Sequence, residues 1–156
     1  MIKKLISGGQ TGADSCIVQV GKRLGIATGG LVPRGWQTEQ GPKPALQELG
    51  FTESNSTDYA VRTRQNVEQS DATLIFATNP DSDGTRLTVD HAKKIGKPYL
   101  VLNPFEPGAA DAVTPWLQAI QSAVLNVAGN RESKAPGIAR QAEKVLHAVL
   151  SLQAID

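Results

Sequence analysis

Residues 2–6, Ile-Lys-Lys-Leu-Ile, run straight into Ser7-Gly-Gly-Gln-Thr-Gly-Ala-Asp14 and then into an amphipathic segment. A short apolar run, a glycine-rich turn and a helical pattern make a strand–loop–helix unit. That unit constrains the fold more than any other feature of the chain. It aims backbone N–H groups and a helix N-terminus at one point, which suits a phosphate or another oxyanion. A dinucleotide loop would read Gly-x-Gly-x-x-Gly, and only Gly9-x-x-Gly12 fits its second half. A nucleoside-triphosphate loop would end in Gly-Lys-Ser/Thr, whereas Gly12 is followed by Ala13 and Asp14. A tight turn without any ligand uses the same glycines.

The pattern repeats along the chain. Ala13, Ile17, Val20 and Leu24 recur at helical spacing, and Gly25 ends that helix. Residues 26–32 read as a second strand interrupted by Gly29-Gly30, followed by an irregular loop to about residue 44 and a helical turn over 45–49. Thr57 can cap a helix over 58–69. Residues 72–77 form a third strand, 78–85 a polar loop and 86–95 a helix. Residues 98–102 form a fourth strand, 114–122 a helix and 124–128 a fifth strand. Pro136 suits the first turn of a last helix, whose Ile138, Ala142, Val145, Leu146, Val149 and Leu152 face the core. Strand alternating with helix implies an α/β fold: a Rossmann-like open parallel sheet of about five or more strands, with helices on both faces.

A length of 156 residues fits one domain spanning the chain. The net charge of +1 argues against a broad basic face for duplex nucleic acid, and 4% aromatic residues argue against stacking along a single strand. No 18-residue apolar run and no signal peptide are evident, so no membrane association is expected. The lone Cys16 allows no internal disulfide, and a reducing cytoplasm is the expected location. Cys16 reads as a small buried hydrophobe. His91, His147 and Cys16 lie too far apart for metal-ligand spacing, so no protein-ligated metal is expected.

Ligands in open parallel sheets sit beyond the carboxyl ends of the strands. Five loops leave those ends, at residues 7–14, 33–36, 78–85, 103–105 and 129–133. Of seven arginines, Arg34, Arg86 and Arg131 lie in or just after them, and Arg62 and Arg64 lie in the helix before strand three. Arginine's planar fork suits oxyanions, although surface arginines also scatter and pair with acids. The 58–69 helix is unusually polar, which implies a solvated face, a subunit interface or groups turned toward a site. Arg62 and Asn66 share one of its faces. Asp83-Gly84-Thr85 and Gly129-Asn130-Arg131-Glu132-Ser133 are further candidate anion loops. Helix capping is the alternative role for Asp83. No nucleophile–base pair is evident, since Ser7 has no histidine nearby in sequence. The acids Asp14, Asp83 and Glu132 fit acid–base chemistry and ligand hydrogen bonding equally well.

Taken together, Ser7–Asp14, Gly29-Gly-Leu-Val-Pro-Arg-Gly-Trp36, Arg62-Thr-Arg-Gln-Asn66 before Ser70-Asp-Ala-Thr-Leu-Ile-Phe76, Asp83-Gly-Thr85 and Asn126-Val-Ala-Gly-Asn-Arg-Glu-Ser133 resemble the molybdenum cofactor carrier proteins. The resemblance spans about residues 5–150. It implies a Rossmann-like homo-oligomer, a tetramer or dimer, that binds, stores and protects the molybdenum cofactor (molybdopterin) as cargo without turnover. Molybdate-like oxyanions would also fit, and molybdenum enzymes would be recipients. The resemblance implies that Gly8, Gly9, Gln10, Thr11 and Gly12 hold the phosphate or oxyanion. Asp14, Arg34, Arg62, Asn66, Asp83, Gly84, Thr85, Arg131, Glu132 and Ser133 would line the cleft. The related phosphoribohydrolases, labelled lysine-decarboxylase-like, carry Pro-Gly-Gly-x-Gly-Thr-x-x-Glu. Here only Gly84-Thr85 remains of it, and Thr88 stands where the glutamate belongs. A nucleoside-monophosphate hydrolase or a nucleotide sensor is the alternative reading.

Overall fold

The computed structural model describes residues 1–153. Six parallel strands form the main sheet: β1 (Lys4–Ile6), β2 (Ala27–Val32), β5 (Phe51–Glu53), β6 (Ala72–Phe76), β7 (Tyr99–Leu102) and β8 (Val124–Gly129). Their order is β5-β2-β1-β8-β6-β7. A separate hairpin pairs β3 (Gln37–Thr38) with β4 (Gly41–Pro42) antiparallel. The helices are α1 (Cys16–Leu24), α2 (Tyr59–Gln69), α3 (Asp83–Ile95), α4 (Ala109–Ile120) and α5 (Ile138–Gln153). Helices α1, α4 and α5 pack together on one face of the sheet, and α2 and α3 on the other.

The central strands are buried on both faces, as their near-continuous apolar sequence requires. All five residues of β6 are buried. Leu5, Leu74, Phe76, Leu125 and Val127 meet Ile17, Val20, Ile138, Leu146 and Leu150 from the covering helices in one core. From β1 the chain crosses through α1 to β2. From β6 it crosses in the opposite direction, through α3 on the other face, to β7. The reversal opens a crevice beyond the carboxyl ends of β1, β8 and β6, where such sheets bind ligands.

The α/β expectation holds, with local corrections. Phe51–Glu53 adds a sixth strand on the edge beside β2; three residues carry no usable alternation. Strand β2 runs through Gly29-Gly30 without interruption. Asp58, not Thr57, caps α2: its carboxylate accepts from the Ala60 N–H. Helix α3 begins at Asp83 because Ser82 is its cap, so neither the cap role for Asp83 nor a start at residue 86 applies. Helix α4 begins at Ala109, placing Pro115 inside it. On α5, Leu150 takes the core position and Leu152 is 55% exposed.

Candidate functional site

The crevice is a cleft of about 580 Å³. The first loop borders it with Gly8, Gln10 and Asp14, and α2 with Tyr59, Arg62, Thr63 and Asn66. The start of α3 contributes Ser82, Asp83 and Gly84, and the end of β8 contributes Gly129, Asn130 and Arg131.

Arg62 lies at the floor of this cleft. Its guanidinium rests on Gly8, where a methyl group would fall 1.9 Å from Nη1. Residue 8 is therefore glycine because an arginine 54 positions later needs the space. Arg62 Nη1 lies 3.6 Å from Asp14 Oδ2, and the two side chains are 11% and 6% exposed. Arg62 Nε is sealed from solvent without a hydrogen-bond partner. The guanidinium carbons of Arg62 and Arg131 lie 5.5 and 5.8 Å from the centre of the Tyr59 ring, within cation–π range. Burial pushes the Asp14 carboxyl up; the charge of Arg62, the Gln10 N–H and the charge of Arg131 oppose it in turn. Arg62 thus relies on one long ion pair, with the half-buried Arg131 adding its charge nearby.

The first loop spends most of its donors internally. Gln10 N–H donates to Asp14 Oδ2 (3.1 Å), Thr11 N–H to Gln10 Oε1 (3.0 Å), Gly9 N–H to Ser7 Oγ (3.3 Å) and Ala13 N–H to Asn130 O (3.1 Å). Gly12, at φ +78°, lies so close to the 130–132 backbone that a methyl would sit 2.5 Å from Asn130 O. This contact locks the first and last loops together. At α3, by contrast, Ser82 takes the Thr85 and Arg86 N–H groups. Asp83 and Gly84 border the cleft at the positive end of the helix.

The expected residues fall into three groups. Gly8, Gln10, Asp14, Arg62, Asn66, Asp83, Gly84 and Arg131 border the one cleft. Thr11 and Ser133 sit at its rim and bind the Glu39 carboxylate through their hydroxyls, with Ser133 N–H adding a bond at 3.2 Å. The others lie elsewhere. Gly9 faces a second cavity of about 300 Å³ beside Leu46 and Phe51. Gly12 packs against the last loop. Arg34 is exposed on the loop after β2, where its N–H donates to Ser56 O. Thr85 is buried, accepting from Ser82 Oγ. Glu132 caps α5, accepting from Gly137 N–H (2.5 Å) and Ala139 N–H (3.1 Å).

Asn66 serves the fold as well as the cleft. Its carboxamide pairs with both the N–H and the carbonyl of Leu31, at 2.8 and 2.9 Å, fastening α2 to β2. The sequence pattern does not mark Tyr59 or Glu39 as ligand-facing, and it marks Asn130 only as part of the 129–133 loop. Tyr59 stands one helical turn before Arg62, which is a usable signal. Asn130 accepts from Thr78 and Asn79 N–H and donates to Ser82 Oγ, tying β8 to the start of α3. Glu39 has no local signal, since its partners lie 28 and 94 residues away.

Nothing bordering the cleft pairs a nucleophile with a base. Ser7 Oγ donates to the Asp14 carbonyl and is fully buried. His91 pairs with Glu68 at 3.0 Å, away from the cleft. Among the described residues, no group of three or more His, Cys, Asp or Glu could hold a metal, and no helix is long and apolar enough to cross a membrane.

A family model matches residues 5–150, that of the circularly permutated YpsA SLOG family. The chain belongs to this family. Among solved structures it is similar to a crystal structure from Syntrophus aciditrophicus SB described as a "Putative molybdenum carrier protein". The two share 36% identity over 96% of this chain and 95% of the other, with a TM-score of 0.88. No curated protein matches the chain. The family match and the shared fold place this chain among Rossmann-like proteins of that family.

Proposed function

We propose that this protein binds, stores and protects the molybdenum cofactor without turning it over. The observation that carries the reading is the under-neutralised Arg62 at the cleft floor, with Arg131 and Tyr59 beside it. A buried guanidinium with one long contact and an unpartnered Nε gains more from an incoming oxyanion than an exposed one does. The cofactor offers a terminal phosphate to these groups and a flat pterin to Tyr59 and the polar face of α2. The cleft volume lies within the range of sites for ligands of that size. The similar structure described as a molybdenum carrier supports the same reading.

On this reading Gly8, Gln10, Arg62, Arg131 and the start of α3 bind the ligand. The protein works in the cytoplasm as a homo-oligomer, a tetramer or dimer, and passes its cargo to molybdenum enzymes. Molybdate-like oxyanions are lesser ligands of the same groups. Hydrolysis of a nucleoside monophosphate would require a carboxylate free to activate water. Asp14, the acid at the cleft floor, is engaged by Gln10 N–H and Arg62, which leaves Asp83 at the start of α3 as the carboxylate that reading would need.

Incubation with freshly released cofactor, desalting and fluorescence of the oxidised pterin test the proposal. Near-stoichiometric retention is expected, with loss in Arg62→Ala. Retention no greater than by a control protein overturns it. Release of base from a nucleoside monophosphate would instead establish the hydrolase reading.

A further inference from the structure

At the cleft rim, two hydroxyls and a backbone N–H converge on one carboxylate. Thr11 Oγ1 and Ser133 Oγ donate to Glu39, Ser133 N–H donates at 3.2 Å, and Arg131 adds its charge. This donor set is what a phosphate oxygen requires. Its occupant sits on the β3–β4 hairpin, whose strands have two residues each and do not join the main sheet. A ribbon this short does not hold itself in place. Its tip is fixed by Glu39, whose carboxylate binds Thr11 and Ser133 and whose N–H donates to Gln10 Oε1 at 2.9 Å. Gln10 is 5% exposed and borders the cleft, and its Nε2 is buried without a partner. The same carboxamide that anchors the hairpin therefore holds an unused donor beside the cleft.

We propose that Glu39 is a built-in competitor: it fills a rim oxyanion site formed by Thr11 and Ser133, and an incoming phosphate displaces it and releases the hairpin. Release also removes one of the two N–H groups on Gln10 Oε1, leaving that amide held by Thr11 N–H alone. The proposal shares with the carrier reading only the premise that the ligand bears a phosphate-like group. It adds a lid whose closed state is stabilised by a carboxylate standing in for the ligand.

Inorganic phosphate is the probe. Titration calorimetry should find phosphate bound about tenfold tighter by Glu39→Ala than by the parent protein, a difference of about 1.4 kcal/mol. Glu39→Gln, which keeps the shape and loses the charge, should fall between them. Adding Ser133→Ala to Glu39→Ala should remove the gain. In the parent protein, saturating phosphate should speed hydrogen exchange at the Glu39, Gln40 and Lys43 amides, which the closed hairpin protects. Unchanged or weaker phosphate affinity in both single variants, or unchanged exchange on binding, overturns the proposal. If that happens while fresh cofactor is still retained, the competitor role fails and the carrier reading stands. A gain in phosphate affinity without cofactor retention supports the competitor and removes the carrier reading.

Discussion

Gly8 and Gly12 look alike in the sequence and do different work. Gly12 needs its positive φ and its contact with the 130–132 backbone, so neither neighbour can yield to a side chain. Gly8 makes room only for the end of a flexible arginine. Gly12→Ala should therefore cost about 2 kcal/mol or more in urea unfolding. Gly8→Ala should cost well under half of that while displacing Arg62 and weakening oxyanion binding at least tenfold. Equal losses of stability in the two variants would refute this division. Asp71 gives a pH test. Its carboxylate accepts from Val124 and Ala123 N–H at 2.9 and 3.0 Å, which, with Lys97 and against partial burial, hold it below the usual range. A carboxyl with a lowered folded pKa stabilises the protein above its unfolded value, near 3.9, and that contribution fades as pH falls through the folded value. Asp71→Asn should lose no more than about 1 kcal/mol at pH 7, since solvent screens this exposed group. The difference from the parent should begin to shrink as pH falls below the unfolded value and vanish once it is below the folded one. The presence of glycine in the first loop was legible in the sequence. Its purpose at position 8 was not, because the clash it avoids involves a side chain from another element.

Among the elements, α2 shows how far a pattern carries. Its polarity left open a solvated face, an interface or a site. In the fold it packs on α3 and β2, with Asn66 fastening it to Leu31 and Tyr59, Arg62 and Thr63 bordering the cleft. Helix periodicity revealed that Arg62 and Asn66 share a face, but not that one grips a strand while the other covers a glycine. The helices and longer strands were readable because their period is sustained. Strand β5 and the β3–β4 hairpin were not, because two or three residues show no period and their pairing is fixed by partners elsewhere. The start of α3 offers a prediction for one element. A methyl at Gly84 meets no atom within 4 Å, and its φ is unstrained. Gly84→Ala should leave stability unchanged or raise it by a few tenths of a kcal/mol, at most about 1. The methyl would crowd the helix N-terminus that borders the cleft, weakening phosphate binding severalfold in calorimetry. Unchanged affinity would mean that the ligand does not touch this end of the helix.

At the scale of the whole molecule, the carrier and hydrolase readings use the same switch-point crevice and differ in what happens after binding. On the proposed reading, a nearly neutral chain attracts its anion through charge concentrated in the crevice. The net charge is +1, yet Arg62 and Arg131 converge on one aromatic ring inside the cleft. Attraction through these two groups would be local and partly desolvated, and such contacts withstand salt better than an exposed basic face. Binding that orders the first loop, the last loop and the start of α3 at once should stabilise the fold as a unit, because Asn130 and Gly12 already tie those segments together. A ligand at a hundred times its dissociation constant adds about 2.7 kcal/mol, which for a chain of this length is a rise of roughly 5–10 °C in Tm. A storage protein should show that rise with the cofactor, hold it over hours, and yield the pterin intact on unfolding. A rise that decays as the ligand is consumed, with products in solution, would mark the crevice as a catalytic site and Asp14 or Asp83 as the carboxylates to substitute next.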